Sequence, residues 1–380
     1  MCIRDRVLNF SNAQNVEDQI IILKEADSLN RDYQTYESIA SLNFSRNIND
    51  EKAKIEKEYY DLISPEIKEI FNHLDKAINK SAFKKELIKE WGQEFVKQIE
   101  LDLKTFDPSI KMLLNEENDL CNSYTKLTAS AKIYFNGKNY NLAGLGPFHV
   151  SPERSIRKKS YEARFEWFDE NSDQLDQLYD KLVKIRHKIA ISLGYENFIE
   201  LGYYRMGRTD YGPKDVSNFR KKIVEHVVPI VNELQNKKKD ILGLDKLYFY
   251  DGINFKDGDP TPKGSPEELV KHAQKMYHDL SPETGEFFDI MINEDLMDLV
   301  NRDGKRPGGF CTSFPKYDRP YIFSNFNGTD HDITVLTHEA GHAFQYFSSR
   351  KQPLVQYMWP TMEAAEIHSM SMEFFTWPWM

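Results

Sequence analysis

The stretch "THEAGHAFQ" (337–345) decides how this chain is read. His338 and His342 stand four positions apart, with Glu339 directly after the first. On an α-helix that spacing is about one turn, so both imidazoles project from the same face. Two histidines at this spacing can simply be surface residues, or core residues with satisfied hydrogen bonds. The glutamate between them favours another reading. Two such imidazoles can both reach a tetrahedral Zn²⁺ at about 2.0–2.1 Å, and the intervening carboxylate can act on a water at the metal. A site of that kind needs a third protein ligand.

The helix that carries the motif has clear limits. "DITVLTHEAGHAFQYFSSRKQP" (332–353) reads as one element, with Asp332 as its cap, Arg350 and Lys351 suited to the C-terminal dipole, and Pro353 beyond the end. Leu336, Ala340, Ala343 and Phe347 fall on a face away from the histidines and can anchor the helix in a core. A metzincin would place its third histidine at position 348 and a glycine at 345; Ser348 and Gln345 stand there instead. The other arrangement takes a glutamate from a separate downstream helix. "WPTMEAAEIHSMSMEFFTWP" (359–378) offers that helix, with Thr361 as N-cap and a turn at Gln352-Pro353 that lets the chain return antiparallel. Glu363 falls in its first turn, where the helix dipole alone explains an acid. Glu366 lies one turn deeper and is the expected third ligand. Glu373 lies on the face of Glu366 and is expected to accept a hydrogen bond from a ligating histidine. His368 falls off that face.

Upstream, most of the chain has helical periodicity. Apolar residues recur at three- and four-residue spacing over about Val16–Leu42, Ile55–Leu74, Phe83–Leu114, Ile156–Leu193 and Val216–Leu242. Ser151-Pro152-Glu153, Pro213 and Pro266 mark helix starts. Strands are few. "KIYFNGKNYNL" (132–142) is a hairpin around Asn136-Gly137, and "KLYFYD" (246–251), "GGFCTSF" (308–314) and "PYIFSNF" (320–326) read as further strands. The expected fold is mainly α, with a small β-sheet beside the His-Glu-His helix. The expected division is an N-terminal helical lobe over 1–120 and a catalytic part over 121–380.

Composition removes several alternatives. The chain has 380 residues, 29% charged and 40% hydrophobic, and a net charge of −10, which argues against a nucleic-acid partner. The basic run "NKKKD" (236–240) reads as a solvated helix end. The three cysteines, Cys2, Cys121 and Cys311, lie far apart with no C-x-x-C spacing, which suits a reducing compartment. No stretch approaches the roughly 18 apolar residues of a membrane span. "MCIRDR" (1–6) starts no recognisable element. The expected localisation is cytoplasmic.

At this point the residues resemble a known family. "HEAGH" followed by "EIHSMSME" looks like the oligoendopeptidase F and thimet oligopeptidase family of zinc metallopeptidases, whose pattern is H-E-x-x-H and then a distant E-x-x-S-x-x-x-E. That pattern falls on His338, Glu339, His342, Glu366, Ser369 and Glu373. "RPGGFC" (306–311) resembles the family's Gly-rich approach to a strand lining the substrate groove, and "FNGTDHDITVLTHE", "YFNGKNYNL" and "SPERSIRKKSYEARF" resemble further segments. The resemblance implies a cytosolic, channel-type helical enzyme with one Zn²⁺ that cleaves short peptides. Zinc would sit on His338, His342 and Glu366, with Glu339 as general base and Gly308, Gly309, Phe310 and Cys311 along the groove. Family members continue past the third-ligand helix into a part that supplies a histidine and tyrosines, so this chain is expected to be C-terminally incomplete. One rival is an aminopeptidase, but the Gly-x-Met-Glu-Asn motif of that class is absent. The other is a helical module that holds zinc and binds peptides without cleaving them, or an incompetent fragment. Oligomeric state is not legible.

Overall fold

The computed structural model describes residues 9–380, so Cys2 and the "MCIRDR" stretch lie outside the described residues. Helix α1 (Val16–Arg46) starts where the Asn15 side chain accepts from the Asp18 amide. Helix α2 (Glu51–Asn79) starts on Asp50, which accepts from the amides of Lys52 and Ala53. These side chains satisfy amides that a helix leaves without partners at its start. The single helix expected over Phe83–Leu114 is broken into α3 (Lys84–Trp91), α4 (Gln93–Thr105) and α5 (Lys111–Ala129). Gly92, at φ 91°, makes the first break, and Asp107-Pro108 makes the second through a 3₁₀ turn. The apolar period runs through both, which is why it concealed them. Leu23, Leu74, Ile78, Leu87, Trp91, Phe95 and Ile99 form the core of this part, and Leu354, from beyond the histidine helix, joins it.

The hairpin expected around Asn136-Gly137 is present as β1 (Ile133–Phe135) and β2 (Lys138–Tyr140), with Asn136 and Gly137 both at positive φ. Such a two-residue turn needs those angles. The expected helix over Ile156–Leu193 is two, α6 (Arg154–Glu170) and α7 (Ser172–Ser192), parted at Asn171. Ser151 is not the cap of α6; Glu153 holds that position, and the Ser151 hydroxyl accepts from its amide. After α8 (Phe198–Arg205), α9 (Pro213–Lys222) and α10 (Val228–Leu242) are joined by a π-helical turn at Ile223–Val227. Pro229 explains that turn: its ring clashes with a regular preceding turn and it lacks an N–H, so the helix widens.

"KLYFYD" is not a strand. The Asp251 carboxylate accepts from the Tyr248 amide, and the Asp251 amide returns to the Tyr248 carbonyl, closing a turn. Arg154 and Arg157 hold the same carboxylate from α6. Burial alone would raise this acid, but those hydrogen bonds outweigh it and hold it at about 2. A short aromatic run imitates a strand here, and one buried acid overrides it.

The sheet lies at the centre of the C-terminal part. Its order is β3 (Met297–Val300), β5 (Arg319–Phe326), β4 (Phe310–Phe314), with β3 parallel and β4 antiparallel to β5. Strand β3 was not expected; four residues are too few to show a period. Helices α11 (Pro266–Leu280) and α12 (Pro282–Asn293) and the sheet bury Tyr277, Phe287, Phe288, Met291, Ile322 and Phe323 against the histidine helix α13 (His331–Ser349). Ser265 and Glu268 form a reciprocal cap at the start of α11. Asp298 on β3 accepts from Arg46, Arg302 and the buried Lys305, tying the end of α1 to the sheet. Burial would raise its carboxyl, but the hydrogen bonds from Arg302 and Lys305 prevail and hold it well below the usual carboxylate range.

Candidate metal centre

Helix α13 begins at His331, so Asp332 is in its first turn rather than at its cap. The Asp332 carboxylate turns back to accept from the amides of Asn327 (3.0 Å) and Gly328 (2.7 Å), fixing the loop that leads from β5 into the helix. Leu336, Ala340, Ala343 and Phe347 are buried in the core, as the periodicity requires. The opposite face presents His338 and His342, their rings at 83° with centroids 4.9 Å apart.

Helix α14 (Met362–Thr376) packs directly on α13. Glu366 Oε2 lies 3.2 Å from His338 Nε2 and 3.7 Å from His342 Nε2, and one donor atom from each residue lies within 4.8 Å of the others. Around a tetrahedral zinc with bonds near 2.0–2.1 Å, neighbouring donors stand roughly 3.4 Å apart. The observed separations bracket that value, so these three side chains fit one such ion. The three-ligand set expected from sequence is brought together.

The supporting contacts are specific. Glu373 Oε1 lies 2.7 Å from His338 Nδ1, so a proton on Nδ1 leaves Nε2 free to face Glu366 and His342. Ser369, fully buried, donates to Glu366 Oε2 at 3.0 Å and aims that carboxylate. The sequence pattern contained Ser369 but gave it no role; its i, i+3 relation to Glu366 was the available signal. Glu363 points elsewhere and pairs with Arg208. His368 is exposed and is not among the three clustered donors. Glu373→Gln should lower zinc affinity by about 10–100-fold, because the amide is a poorer acceptor for the histidine proton. Competition against a chelator of known affinity measures this, and unchanged affinity would show that the contact does not support the site.

Glu339 sits beside the donors and is 6% exposed. Its Oε2 is buried and makes no hydrogen bond among the described residues. Its Oε1 lies 3.3 Å from where a β-carbon on Gly309 would stand, so glycine at 309 is what lets the strand approach lie against this carboxylate. Loss of water around the group raises its pKa to about 7; His338 opposes this rise and Glu366 adds to it. Desolvation acts on His342 in the opposite sense and lowers it. A carboxyl held above its usual range beside a cluster of metal-type donors is the kind of group that proton transfer uses.

The residues expected along the groove, Gly308, Gly309, Phe310 and Cys311, lead into β4, an edge of the sheet. The Ile322 amide donates to Leu296, on the β3 side. Cys311 is paired opposite Ile322. In an antiparallel ladder, its own N–H and C=O therefore point away from β5, toward the free edge. Ser313, opposite Pro320, has the same orientation. Among the described residues, no further strand pairs with this edge.

A mainly helical fold with a His-His-Glu donor set and a carboxylate beside it defines a metallopeptidase class. The chain matches Peptidase family M3 over residues 148–378 and the Peptidase M3 N-terminal domain over residues 3–106, and it belongs to peptidase family M3. It is 23% identical over 276 residues to an oligoendopeptidase F homolog of Borreliella burgdorferi, covering 67% of this chain and 45% of that protein. It is 26% identical over 258 residues to the chromosomal oligoendopeptidase F of Lactococcus lactis subsp. cremoris, covering 66% of this chain and 40% of that protein. Among solved structures, PZ peptidase A with inhibitor 2 superposes with a TM-score of 0.98 at 46% identity, over 100% of this chain and 67% of that one. Oligoendopeptidase F from Enterococcus faecium shares the fold, with a TM-score of 0.54 at 14% identity over 98% of this chain and 64% of that one. The chain thus spans less than half the length of the two sequence relatives.

Proposed function

We propose that this chain carries the zinc-binding and proton-transferring part of an oligoendopeptidase that hydrolyses short peptides. The observation that carries the proposal is the convergence of His338, His342 and Glu366 next to the buried carboxylate of Glu339, whose Oε2 has no partner among the described residues. Two imidazoles and one carboxylate suit zinc, and less often cobalt or manganese. A divalent ion held there supplies Lewis acidity toward the scissile carbonyl and toward water. The protein groups do the rest. The outward amide and carbonyl of Cys311 hold the peptide extended. Glu339 takes a proton from the attacking water and later returns it to the leaving amine, a role that its place beside the donor set supports. Glu373 and Ser369 keep the ligands oriented.

The same reading keeps residues 1–120 as a helical lobe facing a catalytic part over 121–380. It also keeps the cytoplasm as the place of action, with which Cys121 and Cys311, unpaired among the described residues, agree. Among the described residues, no helix is long and apolar enough to cross a membrane. A peptide-holding module without turnover is the competing reading, but it gives no reason to bury Glu339 without a partner. Protein purified without added metal should contain about one zinc per chain, and chelation should abolish cleavage of an internally quenched peptide, with zinc restoring it. A metal content near zero that zinc cannot restore would overturn the site. One bound zinc without chelator-sensitive cleavage would favour the holding module or the incompetent fragment.

A further inference from the structure

A second wall faces the free edge of β4. Residues Gln34, Glu37 and Ser38 of α1 lie across a groove of about 320 Å³ from Cys311, Thr312 and Ser313, with Trp359 as its end wall. The wall is fixed in place. The Thr35 hydroxyl accepts from the Lys316 amide at 2.8 Å, tying α1 to the turn after β4. Trp359 donates its indole N–H to the Ser313 hydroxyl at 2.8 Å and packs against Tyr346.

Glu37 is the charged group on this wall. It is half-buried, and among the described residues no ion pair or hydrogen bond reaches its carboxylate. The cation with the largest effect on it, Lys57, is committed to Asp61. Lys68 and Asp61 act on it with opposite signs. An acid left without a partner in a partly desolvated groove is costly unless something cationic enters. The groove also offers an aromatic face. Lysine and arginine suit that combination, with an apolar stem against the ring and a charged tip on the carboxylate.

We propose that Glu37 selects a basic side chain on the N-terminal side of the scissile bond of peptides laid along β4. The inference rests on the peptidase reading above. Its direction follows from geometry. Glu339, at the reacting position, lies against Gly309, and Glu37 lies at the Cys311–Ser313 end of the strand. Antiparallel addition to an edge is the more stable kind. A peptide so added runs from Ser313 toward Gly309, with its N-terminal part beside Glu37. At roughly 3.3 Å per residue, the distance from Gly309 to Ser313 places the selected residue about two to four positions before the cleaved bond.

The test uses the zinc-loaded Glu339→Gln chain, so that binding is read without turnover. N-acetylated fluorescent peptides with Lys, norleucine or Glu at each of those positions are titrated by anisotropy. At one position, the lysine peptide should bind about tenfold more tightly than the norleucine peptide. Adding Glu37→Gln should remove that preference while leaving norleucine binding unchanged. Adding Glu37→Lys should make the glutamate peptide the tightest. Peptides that bind equally, or a lysine preference that survives Glu37→Gln, would overturn the assignment and leave the peptidase reading standing. Absence of binding by every peptide would overturn both.

Discussion

Glu339→Gln should leave zinc content unchanged and reduce peptide turnover by roughly 10²–10⁴, the usual cost of losing a general base. The substitution keeps the shape of the side chain, so its fit against Gly309 survives. It removes only the ability to accept and return a proton. Zinc should stay because the three donors that converge are His338, His342 and Glu366, and none of them is altered. The fold should not suffer either. Glu339 Oε2 makes no hydrogen bond among the described residues, and a neutral amide costs less to bury than a carboxylate. The variant should therefore match the parent in thermal midpoint, or exceed it slightly. Zinc by elemental analysis, the thermal midpoint and turnover of a quenched peptide are measured together. Retained turnover would mean that another group acts as base, and lost zinc would mean that Glu339 is a ligand.

How much of this was legible in the sequence depends on the range of the interaction. The donor set was, because helical spacing is a local property. His338 and His342 fix a face, and counting turns from Thr361 separates Glu366 from Glu363. The structure gives a physical reason for that separation, since Glu363 is engaged by Arg208. The hairpin at Asn136-Gly137 and strands β4 and β5 were legible for the same reason. The breaks at Gly92 and Asn171 were not, because the apolar stripe continues on both sides and only backbone angles mark the interruption. "KLYFYD" misled because its run of aromatics has the composition of a strand, while Asp251 is claimed by two arginines nearly a hundred residues upstream. Glu37 could not be placed either. Its position across from Cys311 depends on α1 meeting an edge strand far along the chain.

Gly341, the glycine of "HEAGH", shows the same limit, and it carries a second large prediction. Read locally, Gly341→Ala should help, since alanine is favoured over glycine inside a helix by about 1 kcal/mol. The contact with α14 reverses that sign. A β-carbon at 341 would stand 2.6 Å from Ser369 Cα, 2.9 Å from the His368 carbonyl oxygen and 2.9 Å from Met372 Cβ. Comfortable contact lies near 3.5–4.0 Å, so α14 would have to move away by roughly 1 Å. None of these atoms is the end of a flexible side chain. Overpacking of this kind typically costs about 1–3 kcal/mol, enough to cancel the helical gain and leave a net loss. The consequence for the site is larger. Ser369 and Glu366 ride on the displaced helix, and Glu366 now stands 3.2 and 3.7 Å from the histidine nitrogens it shares a metal with. A shift of that size opens the donor set beyond what one tetrahedral ion spans. Gly341→Ala should therefore lower zinc affinity by more than the roughly 100-fold upper range for losing a supporting group, although it touches no ligand. It should also lower the thermal midpoint, most visibly with zinc present, because bound metal no longer adds its stabilisation. Chelator competition and melting with and without zinc provide the check. A variant that binds zinc normally and melts no lower would show that the two helices are not held at this contact, and that the ligand geometry is set elsewhere.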